Sequence, residues 1–192
     1  MSKNKMNTNY LKIKRLIILD SIFVYLIAAM ICLTFSQNAF KSWLFENLFD
    51  NNVYVPLAFV LVYEFVVFVM TLIYTIRILK SNDYYSEGEA LDLAKTQMIM
   101  RLVQIPAYAV IFFVGVIGTM LIFMILLSIA LYILDVISIA VTGLSSVPVY
   151  YILEDAGLIS KKRRIIYTIC GFLFGMDVIV ACLCYIQSKS AA

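Results

Sequence analysis

The chain has 192 residues, 64% apolar and 14% charged, with a formal net charge of +3 at pH 7. Soluble domains are about 45–50% apolar and about 25% charged, so this composition predicts a lipid-facing protein and excludes a second, water-soluble domain. Because the chain has no histidine, histidine bases, histidine-assisted nucleophiles and most zinc sites are excluded. The small net charge gives no reason to expect a nucleic-acid partner.

The first predicted span, residues 16–35, is an apolar run that follows a basic start. It resembles a signal peptide, but it is longer than a usual signal core, contains Asp20 and lacks a nearby small-residue cleavage site. Residues 36–52 then predict an amphipathic helix at the membrane interface, anchored by Trp43. Its apolar residues recur at spacings of three and four: Phe40, Trp43, Leu44, Leu48 and Phe49.

The second predicted span, residues 53–79, carries Glu64 near its middle. Ser86 with Glu89 three positions later predicts a capped helix start. We expect an amphipathic helix on the membrane surface that leads into the third span, with Pro106 kinking the entry. Its predicted apolar face consists of Leu91, Ala94, Met98 and Leu102.

Residues 103–153 contain one charged residue, Asp135. A helical span needs roughly 20 residues, so this run predicts two spans joined by a tight turn. We place them at 103–123 and 126–142, and expect residues 143–148, with Gly143 and Pro148, to end the second of them. A bend at Gly115–Gly118 is the alternative, and it would make the third element a shorter, re-entrant segment. The last predicted span is 165–186.

Basic residues decide the predicted orientation, since cytoplasmic loops are enriched in Lys and Arg. Five spans put 13 of the 15 basic residues on one side and 2 on the other, whereas four spans give 9 and 6. The prediction is a single all-α polytopic transmembrane bundle over residues 1–192. It has five spans, short interfacial helices, a cytoplasmic N-terminus and an outside C-terminus, in the cytoplasmic membrane.

Three acids lie near the predicted middle of their spans: Glu64, Asp135 and Asp177. No basic residue is predicted at that depth, and Asp20 is expected near the cytoplasmic edge, within reach of headgroups or water. Unpaired acids inside a membrane are protonated, hydrogen-bonded or bound to a cation, so these three are candidate cation or proton sites. Candidate supporting polar residues are Asp20, Tyr132, Ser138 and Thr142.

Two functional interpretations remain open. The first is a small cation- or proton-linked transporter or permeation component. The second is a membrane accessory, immunity or assembly protein that binds another membrane protein or itself, with the acids serving as hydrogen-bonding glue between helices. An enzyme is less well supported, since no catalytic set, metal site or cofactor motif is found.

The basic run before the last span serves topology or binds anionic lipid headgroups. Its members are Lys161, Lys162, Arg163 and Arg164.

Two segments carry a resemblance to other sequences. They are the stretch Gln104-Ile105-Pro106-Ala107-Tyr108, and Phe172, Phe174 and Asp177-Val178-Ile179 in the last span. Both are similar to segments of a family of small, uncharacterised polytopic proteins from Gram-positive bacteria. The resemblance implies a bacterial membrane and no particular activity.

Overall fold

A computed structural model describes residues 8–35, 54–81, 84–120, 125–173 and 175–191. Within these residues all regular secondary structure is helical, which confirms the all-α prediction. The predicted interfacial helix over residues 36–52 lies outside the described residues. The six helices are α1 (Thr8–Phe35), α2 (Tyr54–Lys80), α3 (Glu87–Met120), α4 (Ile125–Asp155), α5 (Lys161–Cys170) and α6 (Met176–Ala191).

Four of these helices are long and apolar enough to cross a membrane. The qualifying stretches are Asn9–Cys32 in α1, Ala58–Lys80 in α2, Glu87–Ile117 in α3 and Tyr132–Asp155 in α4. Their lipid-compatible surface is visible in large apolar side chains that the fold leaves exposed, such as Phe59, Phe65 and Phe113. The length, composition and exposed apolar surface of these four helices are therefore compatible with a helical membrane protein.

Helix α3 begins where its capping signal predicts. The backbone N–H of Ser86 donates to Glu89 Oε2 at 3.1 Å, and the N–H of Glu89 donates back to Ser86 Oγ at 3.3 Å. The helix then continues without interruption through Pro106 and Gly115. A bend at Gly115–Gly118 is therefore wrong. Helix α3 ends at Met120 and α4 begins at Ile125, both close to the predicted turn.

Helix α4 runs well past its predicted end. It passes through Gly143 and Pro148 and ends at Asp155, so the predicted stop at residues 143–148 is wrong. An interior proline costs a helix about 3 kcal/mol, and here packing offsets that cost. Four of the five residues after Pro148 are fully buried: Val149, Tyr150, Ile152 and Leu153 each expose 0% of their surface.

The predicted fifth span is two short helices rather than one long one. The break lies between Gly171 and Gly175, where Gly175 adopts a positive φ of 74°. The two helices contact each other across this break. The Tyr167 hydroxyl on α5 donates to Gln187 Oε1 on α6 at 2.5 Å. We call α5, the break and α6 the C-terminal hairpin. Its chain enters the bundle along α5, reverses at the glycines and returns along α6.

Two apolar clusters and a polar layer divide the bundle along its length. One cluster lies near the end of the bundle where Lys12, Lys14 and Arg77 gather, and we call it the basic-end cluster. It contains Ile17 of α1, Leu93 of α3, Tyr150 of α4 and Cys184 of α6. The far cluster is built from α1, α2 and α3: Phe23, Val24, Ile27, Ala28, Ile31, Val60, Ala107 and Ile111. Between them lie buried polar side chains, which the next section describes.

Charged side chains gather at the end of the bundle next to the basic-end cluster. Lys14 pairs with Asp92 at 2.5 Å, which joins α1 to α3. Lys12 and Arg77 both lie over the Tyr74 ring, and Arg164 pairs with Glu154. We call this the basic end.

Candidate functional site

A fully buried arginine forms the centre of the polar layer. Arg101 exposes 0% of its surface, although its guanidinium carries a permanent charge. Helix α3 brings it inward because Gln97, Arg101 and Gln104 follow spacings of four and three and so share one face. All three are buried. In lipid the polar face of a helix turns towards the protein, which reverses the arrangement of a soluble helix.

Helices α1 and α4 supply most of the groups around this guanidinium. Arg101 Nη1 donates to Asp20 Oδ2 on α1 at 3.0 Å and to Gln104 Oε1 at 3.0 Å. Arg101 Nη2 donates to the carbonyl oxygen of Thr142 at 2.7 Å and to Ser145 Oγ at 2.9 Å, both on α4. The bidentate shape of the guanidinium thus ties three helices together.

The C-terminal hairpin supplies a second carboxylate. Asp177 Oδ2 lies 3.8 Å from Arg101 Nε, and Asp177 occupies the first turn of α6, where the helix dipole favours an anion. The reversal at Gly175 is what aims this helix start into the bundle. Phe172, beside the reversal, packs against α4 so closely that a Cβ on Gly143 would lie 2.5 Å from its ring.

These contacts overturn two expectations. No basic residue was predicted at the depth of the acids, but Arg101 pairs with both Asp20 and Asp177. Asp20 was expected at the membrane edge, yet it is completely buried and lies at the same level as Asp177. Arg101 was missed because it was assigned to a surface helix. The 4, 3 spacing with Gln97 and Gln104 was the available signal.

A cavity of about 340 Å³ reaches this cluster from the far side of the hairpin. Its walls are side chains of α3 and α4, including Phe112 and Ile139, and its floor includes Gly175 and Asp177. The cavity forms because α6 turns back towards the basic end and leaves the space beyond its start unfilled. Tyr108 also lines it and shares a hydrogen bond of 3.3 Å with Ser138.

Three polar atoms of the cluster have hydrogen-bonding capacity left over. Asp20 Oδ1, Arg101 Nε and Gln104 Nε2 are buried without a hydrogen-bond partner. One of these atoms is an acceptor and two are N–H donors, so the cluster keeps polar capacity of both kinds inside the bundle.

The predicted acids do not form one compact set. Glu64 is buried on α2 with no partner for either carboxylate oxygen. Its electrostatic neighbour is Asp20, while Asp135 on α4 is partly buried and its electrostatic neighbour is Asp177. The structure therefore arranges the acids as a series that passes through the Arg101 cluster rather than around one cavity.

Of the predicted supporting residues on α4, two are buried and one is exposed. Ser138 and Thr142 are buried at the inner face of α4, where Thr142 contributes its carbonyl rather than its hydroxyl to Arg101. Tyr132 is 70% exposed and lies on the outer surface. In the basic run, Arg164 is committed to Glu154 at 2.6 Å, whereas Lys161, Lys162 and Arg163 are exposed.

Comparisons with protein-family models, with curated proteins and with solved structures found no match. Among the described residues, no three Cys, Asp or Glu side chains are grouped so that they could hold a metal ion.

Proposed function

We propose that this protein is a small membrane transport or permeation component that passes a proton or a small cation through the cluster around Arg101. The observation that carries the proposal is the C-terminal hairpin, which brings the start of α6 and Asp177 beside a buried, ion-paired arginine at the floor of a cavity. Non-helical backbone inside a membrane is tolerated where protein buries it or where it lines a cavity, and helix ends of this kind form the ion sites of many transporters.

The charge of the cluster favours a cation. Arg101 contributes one positive charge, while Asp20 and Asp177 contribute two carboxylates, and Asp135 lies within electrostatic range of Asp177. Away from water, uncompensated carboxylates attract a proton or a cation. Asp177 is proposed as the exchanging group, because it both lines the cavity and touches Arg101. Tyr108 and Ser138 are proposed as the supporting hydroxyl groups.

The proposed location is the cytoplasmic membrane of a bacterium, with the basic end in the cytoplasm. The positive-inside tendency supports this side for the basic end, and the resemblance to Gram-positive proteins stays a prediction. We propose that the hairpin does not cross the bilayer, so that both chain ends lie on the cytoplasmic side. This replaces the outside C-terminus of the five-span prediction.

The test is proton flux in vesicles. The purified protein is reconstituted into liposomes that contain a pH-sensitive dye, and a pH step is applied in the presence of a potassium ionophore. We expect Asp177→Asn to abolish the protein-dependent flux, because the amide keeps the shape of the carboxyl but does not release a proton. The matched control is Asp155→Asn, which changes an exposed carboxylate at the end of α4 and should leave the flux unchanged.

Equal flux from the wild type and from an Asp20→Asn, Asp177→Asn double variant would contradict the proposal. Size-exclusion profiles of all variants in detergent show whether a loss of flux reflects misfolding.

One observation favours the second interpretation, a non-catalytic accessory protein that binds a partner or itself. The Arg101 contacts join α1, α3, α4 and α6, so the cluster also serves as glue for the bundle. If that is its whole role, neutralising Asp177 lowers the midpoint of thermal unfolding and the yield of any co-purifying partner, while no variant shows a flux to lose.

A further inference from the structure

We infer that Glu64 is a second, separate proton-binding carboxyl, which borders an apolar cavity and reacts with hydrophobic carboxyl-directed reagents that enter that cavity. The inference concerns protonation and reactivity, and it does not rest on the proposed transport. Glu64 lies on α2, outside the Arg101 cluster, and it exposes 2% of its surface.

Among the described residues, none is found that stabilises a negative charge on Glu64. Both carboxylate oxygens are buried and accept no hydrogen bond. Helix α2 packs against α1 and α4. From α1 the titratable group within electrostatic range is Asp20, which carries the same sign as Glu64. The neighbouring Tyr63 hydroxyl is turned away and donates to the carbonyl of Leu19 at 2.7 Å.

The side of α4 that meets Glu64 is wholly apolar. A cavity of about 590 Å³ lies between the two helices, and Glu64 forms part of its wall. The other lining residues are Leu61, Val62, Phe65, Phe68, Ile137, Ala140 and Val141. A carboxylate in such a place lacks both water and a counter-ion, so the neutral, protonated acid is the stable form.

The remaining polar groups on this face are equally unpartnered. Thr71 and Thr75 share the buried face of α2 with Glu64, at spacings of seven and four, and neither hydroxyl has a partner. The hydroxyl groups extend from Glu64 towards the basic end of α2. They provide positions where water could bridge the carboxyl to the basic end, which is what proton exchange at Glu64 requires.

A protonated carboxyl beside an apolar cavity has a specific reactivity. A carbodiimide is an apolar N=C=N reagent. The acid proton moves to one nitrogen while a carboxyl oxygen bonds to the central carbon, and the resulting O-acylisourea rearranges to a stable N-acylurea. The overall step is an addition, so no atom leaves and no oxidant or reductant is needed. Dicyclohexylcarbodiimide has the size and apolarity to enter the α2–α4 cavity.

The experiment treats the full-length protein in liposomes with dicyclohexylcarbodiimide and locates the adduct by peptide mass mapping. We expect one adduct per chain, on Glu64, and a slower reaction as the pH is raised. A water-soluble carbodiimide applied under the same conditions should leave Glu64 unmodified. Glu64→Gln should abolish the adduct, whereas Asp135→Asn should retain it.

Two cavity-filling variants provide a test that does not depend on whether Glu64→Gln folds. Ala140 lines the α2–α4 cavity and Ala109 lines the cavity beside Asp177. Ala140→Leu should block labelling of Glu64, and Ala109→Leu should not. An adduct on Asp135 or Asp177 with Glu64 unmodified, or labelling of Glu64 that ignores Ala140→Leu, would overturn the inference. Failure of the flux assay would leave this result untouched, so the two proposals fail separately.

Discussion

At the scale of residues, Arg101 holds a buried positive charge between two carboxylates. Its guanidinium meets Asp20 at 3.0 Å and Asp177 at 3.8 Å with no exposure to solvent. Removing one member of a buried ion pair typically costs about 3–5 kcal/mol, because the other charge is left buried and uncompensated. Replacing a whole pair with apolar residues of similar size is often close to neutral.

We therefore predict that Arg101→Met lowers the free energy of unfolding by about 3–5 kcal/mol and that adding Asp20→Leu restores part of the loss. Thermal or denaturant unfolding in detergent measures both changes. Arg15→Met, at an exposed position of α1, is the control and should have little effect. A double variant as unstable as the sum of its single changes would show that the pair does not act as a unit.

At the scale of elements, the C-terminal hairpin depends on its glycine reversal. Gly175 has a φ of 74°, and a Cβ there would meet no atom within 4 Å. The penalty for Gly175→Ala is thus conformational, about 1–2 kcal/mol for a side chain in the left-handed region.

We predict that Gly175→Ala weakens the contact between Asp177 and Arg101 and speeds amide hydrogen exchange in α6. Gly115→Ala is the matched control: Gly115 lies inside α3 and an added Cβ there also meets nothing within 4 Å. That change should stabilise the helix by about 0.5–1 kcal/mol. Exchange in α6 that is unaffected by Gly175→Ala would show that the reversal does not depend on glycine.

Local signals predicted local structure well in this chain. Ser86 and Glu89 marked the start of α3, and the apolar run that predicted the second span forms α2. Long-range packing decided what the sequence left open. Pro148 looked like a helix end, but the buried turn after it keeps α4 intact. Gly171 and Gly175 lie within the predicted span 165–186, yet they bracket a reversal whose partners, Gly143 and Arg101, are distant in sequence.

The missed arginine has a similar physical origin. Arg101 follows a capped, amphipathic helix start, and its predicted inward face was set by Leu91, Met98 and Leu102. In the fold Leu102 is 42% exposed while Gln97 and Arg101 are buried. A helix that enters lipid buries its polar face, and the apolar periodicity of a surface helix therefore points in the wrong direction.

At the scale of the whole molecule, the direction of α6 bears on the topology proposed above. Asp177 at the start of α6 meets Arg101, whereas Cys184 packs with Tyr150 and Tyr167 in the basic-end cluster. Helix α6 therefore runs from the polar layer towards the basic end, and Lys189 near its end joins the other basic residues there.

We predict that a reporter fused after Ala192 reads out on the same side of the membrane as one fused before Met1. A fluorescent protein that matures only in the cytoplasm and a phosphatase that is active only outside it give complementary signals. Phosphatase activity from the C-terminal fusion together with N-terminal fluorescence would instead support five spans. Fusions within the basic run, at Lys162, provide the control for the basic end.

The position of the Arg101 cluster along the bundle has an electrical consequence. Six residues separate Lys95 from Arg101 and sixteen separate Arg101 from Ile117, which correspond to about 9 Å and about 24 Å of helix. An ion that approaches from the far side would therefore traverse nearly three-quarters of a transmembrane voltage before it meets Asp177, worth about 1.7 kcal/mol at 100 mV. If the basic end lies at the negative side and Asp177 binds a cation, as proposed above, an energised membrane raises the cation occupancy of Asp177 by more than about tenfold over a depolarised one.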